Sequence, residues 1–552
     1  MTKTRSTKDS NFIGYLTVIL TMTALWLSFL HSASAQHQHK SGGEKPPILL
    51  SALGNHSHPI TTRNPEAQKF FDQGLTLLYG FNRYEALRSF RRAAELDPEA
   101  LMPYWGTAMA QGPYINIDLD GGIHMKESCE AVQAGLALLG HGSERERGYI
   151  DAVASRCPEY RPADYIRVMR ELSQKYPDDL DAATLYAESL MIPVRWKWWL
   201  PDGTPAEGMD EAVRVLEAVL RRDPDHPGAN HFYIHAVEMS PSPEKAIPSA
   251  QRLMGAVPAA GHLVHMPGHI WLLVGDYELA AEVNENAAER DREYMKITGV
   301  SGSSYSGYYI HNLHFIAYAR QMQGRMTEAI RSAETISATA SPLVKEMPMM
   351  VDAFVSAPLF AMLRFQQWDA LLALKAPDPQ LVSSTALWHF GRAIAFTAKG
   401  KSQDALQAKN AFEAARRVVP KDWLWLNNKA SDILDLASSI LDARMADNDR
   451  AAIPYWERAV ALEDALVYDE PPPWFYPVRE SLGGALLRAG MAVQAESVFR
   501  EGLRRRPRNG RMLFGLMKSL EAQQKMDAAA MVQKEFESAW KSADTILRVE
   551  YL

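Results

Sequence analysis

At 552 residues, 47% hydrophobic and 23% charged, the chain is too long for one compact core and too apolar to be disordered, so it is several domains or a repeat array. A formal net charge of −7 offers no net basic face and argues against nucleic acid as the main partner. Two cysteines exclude a disulfide-built scaffold and any Cys-rich metal site.

In chain order, the first element is an address. Lys3, Arg5 and Lys8 precede an apolar run over residues 12–30, and Ala33-Ser34-Ala35 follows with the small-residue spacing of a signal peptidase site. Residues 1–35 therefore read as a signal peptide cleaved after Ala35, with an uncleaved anchor as the alternative. No second apolar run of that length follows, so no membrane span is expected after signal removal. The expected destination is the periplasm or the outside, where Cys129 and Cys157 either pair or remain thiols. Residues 36–64 read as a polar, flexible leader in which His37 and His39 belong to a solvated tail.

From about residue 65 to the end the pattern is helical, with almost no strand signal. The succession Gly74, Ala86, Phe90, Ala93, Pro98 returns near the C-terminus as Gly483, Ala495, Phe499, Pro507. This spacing resembles the tetratricopeptide repeat, a helix–turn–helix unit of about 34 residues. The resemblance implies an all-α solenoid of helical hairpins, a superhelix with a few loop insertions. Its expected blocks are N-terminal repeats over 65–192, central repeats over 193–345 and C-terminal repeats over 346–552. Two segments break the helical pattern with Pro and Gly: Arg195-Trp196-Lys197-Trp198-Trp199 with Pro201 and Gly203, and the loop 469–477 with Pro471, Pro472 and Pro473. Their aromatic residues read either as packing plugs or as a roof over a pocket.

Seven histidines fall between residues 231 and 314, in the groups His231/His235, His262/His265/His269 and His311/His314. In the repeat frame they occupy positions 2, 5 and 9 of the first helix in three consecutive units. Glu238 follows at position 12 of the first unit and Tyr318 at position 9 of the third. These positions share one helix face. In tetratricopeptide proteins that face lines the concave groove, so the resemblance implies that seven imidazoles and a carboxylate converge on one concave patch. Crowded imidazoles gain nothing from one another unless something shares their lone pairs, and a metal ion does that. The i, i+4 pairs His231/His235 and His265/His269 suit one ion each. Pro267 is expected either to kink the second helix toward a common centre or to mark a late helix start. An imidazole set with a carboxylate suits copper or zinc first, with nickel or iron possible, and disfavours calcium or magnesium. One or two ions are accommodated, and Glu238 is the candidate base if a metal-bound water is activated. Three histidines per ion would be similar to the coupled dicopper site of tyrosinases and haemocyanins, in ligand type only.

The stretches HFYIHAVE, GHLVHMPGH and HNLH, with YDEPPPWFYPVRESLG, resemble a family of secreted bacterial tetratricopeptide proteins. That resemblance implies the fold and no particular activity. Glu188 falls at a groove position one unit before His231 and is a candidate site carboxylate. Glu480 could reach the patch only if the solenoid closes on itself. Three functions fit: a metalloenzyme (oxidase or oxygenase with copper or iron, hydrolase with zinc), a non-catalytic metal-binding protein, or an interaction scaffold. The partner is correspondingly a small-molecule substrate or a peptide in the concave groove.

Overall fold

The computed structural model describes residues 45–116, 123–300 and 303–552. The expected signal segment, its cleavage site and the part of the leader holding His37 and His39 lie outside the described residues. Among the described residues the chain is an all-α array of helical hairpins, with one two-stranded ribbon pairing Leu424–Trp425 with Asn428–Lys429. No helix among them is long and apolar enough to cross a membrane.

The repeat logic is visible in the first hairpin. Asn64 caps α1 (Pro65–Tyr79) by accepting the Glu66 N–H at 2.9 Å, and Pro65 starts the helix where a missing N–H costs nothing. The partner helix α2 (Arg83–Leu96) carries Phe90, whose ring fills the space over Gly74. A Cβ on Gly74 would lie 2.6 Å from that ring, and one on Gly106 of the next unit would lie 2.4 Å from it. Phe499 sits in the same way between Gly483 and Gly515, at 2.5 and 2.2 Å. One phenylalanine wedged between glycines of adjacent units is what stacks the array. Cys129 and Cys157 are joined in a disulfide.

Two departures from the sequence reading matter for the site. First, residues 45–64 are irregular but not free. From Lys45 on, the expected leader lies against the body: Leu50 N–H donates to Gln73 at 2.7 Å, His58 N–H to Asp72 at 3.0 Å and Thr61 N–H to Glu146 at 2.6 Å. Polar side chains of the first repeats take up the backbone groups that an open tail would leave to water. Second, the C-terminal hairpins fold back onto the central ones. Gly275 (φ +78°) and Gly324 (φ +72°) hold left-handed turns, and a Cβ at either would strike Pro507 or the Trp540 ring at 2.2 Å. Tyr277 donates to the Pro507 carbonyl at 3.1 Å, and Asp544 accepts the Met326 and Thr327 N–H groups. The central and C-terminal repeats therefore meet at this level, a closure the repeat pattern left open.

Candidate metal centre

Glu188 closes α3 (Leu180–Met191) near its C-terminal end, and α4 (Pro227–Glu238) follows in the next hairpin. In α4 the His226 ring caps the helix by accepting the Ala229 N–H at 3.1 Å, and His231 and His235 stand one turn apart. Pro267 cannot donate into a continuous helix, so the next segment breaks at Met266 into α5 (Gly261–His265) and α6 (Pro267–Leu273). Both expectations for Pro267 are met in part: helix lies on either side, and the break leaves His265 and His269 facing each other. Behind them runs α7 (Tyr277–Thr298), and α8 (Ser303–Met322) brings in His311.

The imidazoles gather in two sets of three. Ligand atoms of His231, His235 and His262 lie within 4.8 Å of one another, and so do those of His265, His269 and His311. Ring centroids are 4.9 Å apart for His231–His235, 5.0 Å for His231–His262, and 4.7 Å for both His265–His269 and His265–His311. The sets adjoin at His262–His265 and His235–His269, both 5.5 Å. A phenylalanine packs on each set: Phe81 at 4.4 Å from His231 and 5.1 Å from His262, Phe315 at 4.8 Å from His265 and 5.1 Å from His269.

Hydrogen bonds fix which nitrogen is free. His231 Nδ1 donates to the Tyr79 carbonyl. His235 Nδ1 donates to Glu238 at 2.7 Å. His265 Nδ1 donates to Asn284 Oδ1 at 2.6 Å, an amide whose orientation is set by its own N–H bond to the Ala280 carbonyl. His269 Nδ1 donates to Glu238 and, at 2.7 Å, to Glu470. With Nδ1 committed, each Nε2 presents a lone pair, the arrangement that outer carboxylates and carbonyls impose on metal-binding histidines. Nε2 of His231 and His235 and both nitrogens of His262 are buried without a hydrogen-bond partner. His265 Nε2 and His269 Nε2 face each other at 2.7 Å, a contact that needs a shared positive charge.

Electrostatics agree. Burial, reinforced by the neighbouring imidazoles, holds His231, His262 and His265 well below the usual histidine range, and burial pushes His235 and His311 down to about 3. Burial also pulls on His269, but the Glu470 and Glu238 carboxylates outweigh it and raise that ring to about 10. The cluster is thus mostly neutral imidazole, the form that binds metal, with one proton that an ion would replace.

The remaining expected site residues separate. His314 turns away: three residues past His311 it is rotated by about 60° round α8, where it packs edge-on against Phe354 at 5.8 Å and belongs to neither set. Tyr318 stays close, lining with His269, Phe315 and Arg506 a cavity of about 20 Å³, room for one water. Glu238 is not a free base, because its oxygens accept from His235, His269 and, at 3.3 Å, Tyr468. Glu188 is buried but not in the cluster; Arg156 and Arg83 are its charged neighbours, and burial raises its carboxyl. Glu480 is bound by Arg364 and accepts from Asn509 at 2.9 Å. The two irregular insertions both reach the site. Trp196 and Trp198 pack on His235 at 6.2 and 5.7 Å, and the proline-rich loop delivers Tyr468 and Glu470. Glu470, Asn284 and the Tyr79 carbonyl were not among the expected site residues; only Glu470 carried a signal, as one of two carboxylates, with Asp469, in a loop whose aromatic residues read either as packing plugs or as a roof.

No protein-family model matches the chain, and no curated protein matches it. Among solved structures it is similar to a human IFIT1 dimer with m7Gppp-AAAA, at 13% identity over 88% of this chain and 91% of that one, with a TM-score of 0.31. It is likewise similar to yeast Tom70, at 12% identity over 87% and 92% of the two chains, with a TM-score of 0.29. At these values the likeness carries no conclusion about activity or partner.

Proposed function

We propose that the chain is a secreted metalloprotein whose two imidazole triads, His231/His235/His262 and His265/His269/His311, each hold one transition-metal ion, and that it is an oxidase-type metalloenzyme acting on a small molecule. The observation that carries this reading is the set of buried imidazole nitrogens without partners, since a desolvated lone pair left unmatched is costly and a metal ion matches several at once. Copper is the ion favoured. All six ligands are imidazole nitrogens, copper heads the affinity order of divalent ions for such sites, and the two outer carboxylates, Glu238 and Glu470, offset part of the charge the ions bring.

Such a pair, when bound, supplies one-electron redox chemistry. The chain's own residues do the rest. Glu238 holds one ring of each triad through Nδ1, Phe81 and Phe315 pack on the rings, and a small cavity with room for one water lies beside His269 and Tyr318. The signal segment and the Cys129–Cys157 pair support an oxidising compartment. A peptide-binding scaffold is the less favoured reading, because the histidine face that would line a groove is covered by the Phe81 turn and the loop carrying Glu470. The test is metal analysis of the mature protein beside a His231→Ala/His265→Ala variant. Two equivalents of copper that vanish in the variant are expected. No bound metal after reconstitution refutes the reading, and stoichiometric zinc would turn it to hydrolysis.

A further inference from the structure

A second group of metal-ligating side chains lies where the segment 45–64 crosses the starts of α3 and α4. Asp179 caps α3: one oxygen, Oδ1, accepts the Ala182 N–H at 3.0 Å and the Tyr149 hydroxyl at 2.9 Å. Its other oxygen, Oδ2, is buried and has no hydrogen-bond partner; the nearest cation is Arg145, at 3.9 Å. Asp181 is buried beside it and is crowded with donors. Oδ1 accepts from Tyr79 at 2.6 Å and from His56 at 3.0 Å, and lies 3.2 Å from His226 Nε2. Oδ2 accepts from His58 Nδ1 at 2.8 Å.

These contacts sort ligands from supports. His226 cannot ligate, because its Nδ1 accepts the Ala229 N–H and its only proton therefore sits on Nε2. His226, His56 and Tyr79 all bond the same oxygen of Asp181 and so orient that carboxylate. What remains is His58 Nδ1 with one oxygen each from Asp179 and Asp181, all within 4.8 Å of one another. Two adjacent buried carboxylates require positive charge; among the described residues Arg145 comes only to 3.9 Å from Asp179 Oδ2, and no group donates a hydrogen bond to that oxygen. A cleft of about 810 Å³ opens over the three residues and can furnish water ligands.

We propose that His58, Asp179 and Asp181 form a second metal site, separate from the imidazole cluster, that takes a zinc-type divalent cation completed by water. One imidazole with two carboxylates is a donor set that zinc accepts, and the open positions face the cleft. The ion clips the N-terminal segment to the repeats through His58, in place of the His58–Asp181 hydrogen bond. Tyr79 touches both sites, its hydroxyl on Asp181 and its carbonyl on His231, so the clip also steadies the turn that covers the cluster.

The experiment is zinc titration by calorimetry on the full mature chain carrying His231→Ala/His265→Ala, with and without Asp179→Asn. Asparagine keeps the capping oxygen and removes the ligand charge. One zinc equivalent is expected to survive loss of the cluster, to weaken by at least tenfold on Asp179→Asn, and to protect amides of residues 50–62 from hydrogen exchange. Should the cluster variant fail to fold, the same comparison on the wild-type background must show one equivalent fewer for Asp179→Asn and for His58→Gln, with the cluster's metal retained. Zinc bound equally well by Asp179→Asn, or no zinc beyond the cluster's own, overturns the proposal. Loss of metal at the cluster alone leaves it standing.

Discussion

A ring nitrogen in this cluster is defined by what its partner nitrogen does. Glu238 accepts from His235 and His269, one ring of each triad, so it is the residue through which both sets are oriented. In Glu238→Gln one acceptor becomes an N–H facing a ring N–H, and that ring must turn. Metal affinity should fall by about 10- to 100-fold with the fold retained, as measured by competition against a chelator and by circular dichroism. A second buried carboxyl gives a pH signature. Asp291 on α7 accepts from Tyr305 at 2.9 Å and Asn312 at 2.7 Å, yet burial pushes it up to about 7. Between its ordinary value near 4 and about 7 the folded chain keeps a proton that the unfolded chain has lost, so this group lowers stability as pH rises through that window. Asp291→Asn removes the penalty. The variant should match the wild type at pH 4 and be more stable at pH 8, by denaturant melts at the two pH values. Equal differences at both would contradict the assignment.

At the scale of elements, the site depends on helices being held in register by contacts distant in sequence. Gly324 lies in a left-handed turn against the Trp540 ring, whereas Gly400 has the same handedness (φ +69°) with nothing nearby. An alanine at Gly400 meets only the backbone penalty, about 1 kcal/mol. Gly324→Ala meets that penalty and the indole, so it should destabilise by roughly twice as much or more. The melting temperatures of the two variants compare the terms directly. If the fold-back is what presses the proline-rich loop onto His269, Gly324→Ala should also speed metal release, and Gly400→Ala should not.

For the whole molecule, the cluster is the place where three distant parts of the chain meet. The turn after α1 covers it with Phe81, the central helices supply the imidazoles, and residues 468–472 contribute Tyr468 and Glu470. A metal ion that binds only the folded state stabilises by about 2.7 kcal/mol at a hundredfold excess over its dissociation constant. Because it binds at this junction, chelation should lower the melting temperature and raise amide exchange in residues 79–82 and 468–472 together, hundreds of residues apart. Exchange that changes only within α4 to α6 would show that the three parts are not coupled.

The repeat spacing was legible because one phenylalanine and its glycines recur at fixed steps, and a periodic pattern is a local property of the chain. The same frame placed His231, His235, His262, His265, His269 and His311 on one face, since helix geometry alone decides which positions share a face. It could not separate His314 from His311, because that depends on how far α8 is rotated against the helix bearing Phe354. It put Glu188 and Glu480 at groove positions but could not see that Arg83, Arg156 and Arg364 lie beside them, since a buried charge pairs with whichever opposite charge packing brings near. It took residues 45–64 for a loose tail, because a polar segment without periodicity looks the same whether it is solvated or pinned by side chains from elsewhere. Sequence by itself therefore determined the helices, their stacking and the gathering of the histidines. Tertiary structure alone decided that the array folds back, that the histidine face is a buried junction and not an open groove, and that Glu470, Tyr79 and Asn284 complete it, because each of those facts is a contact between parts of the chain that no local pattern relates.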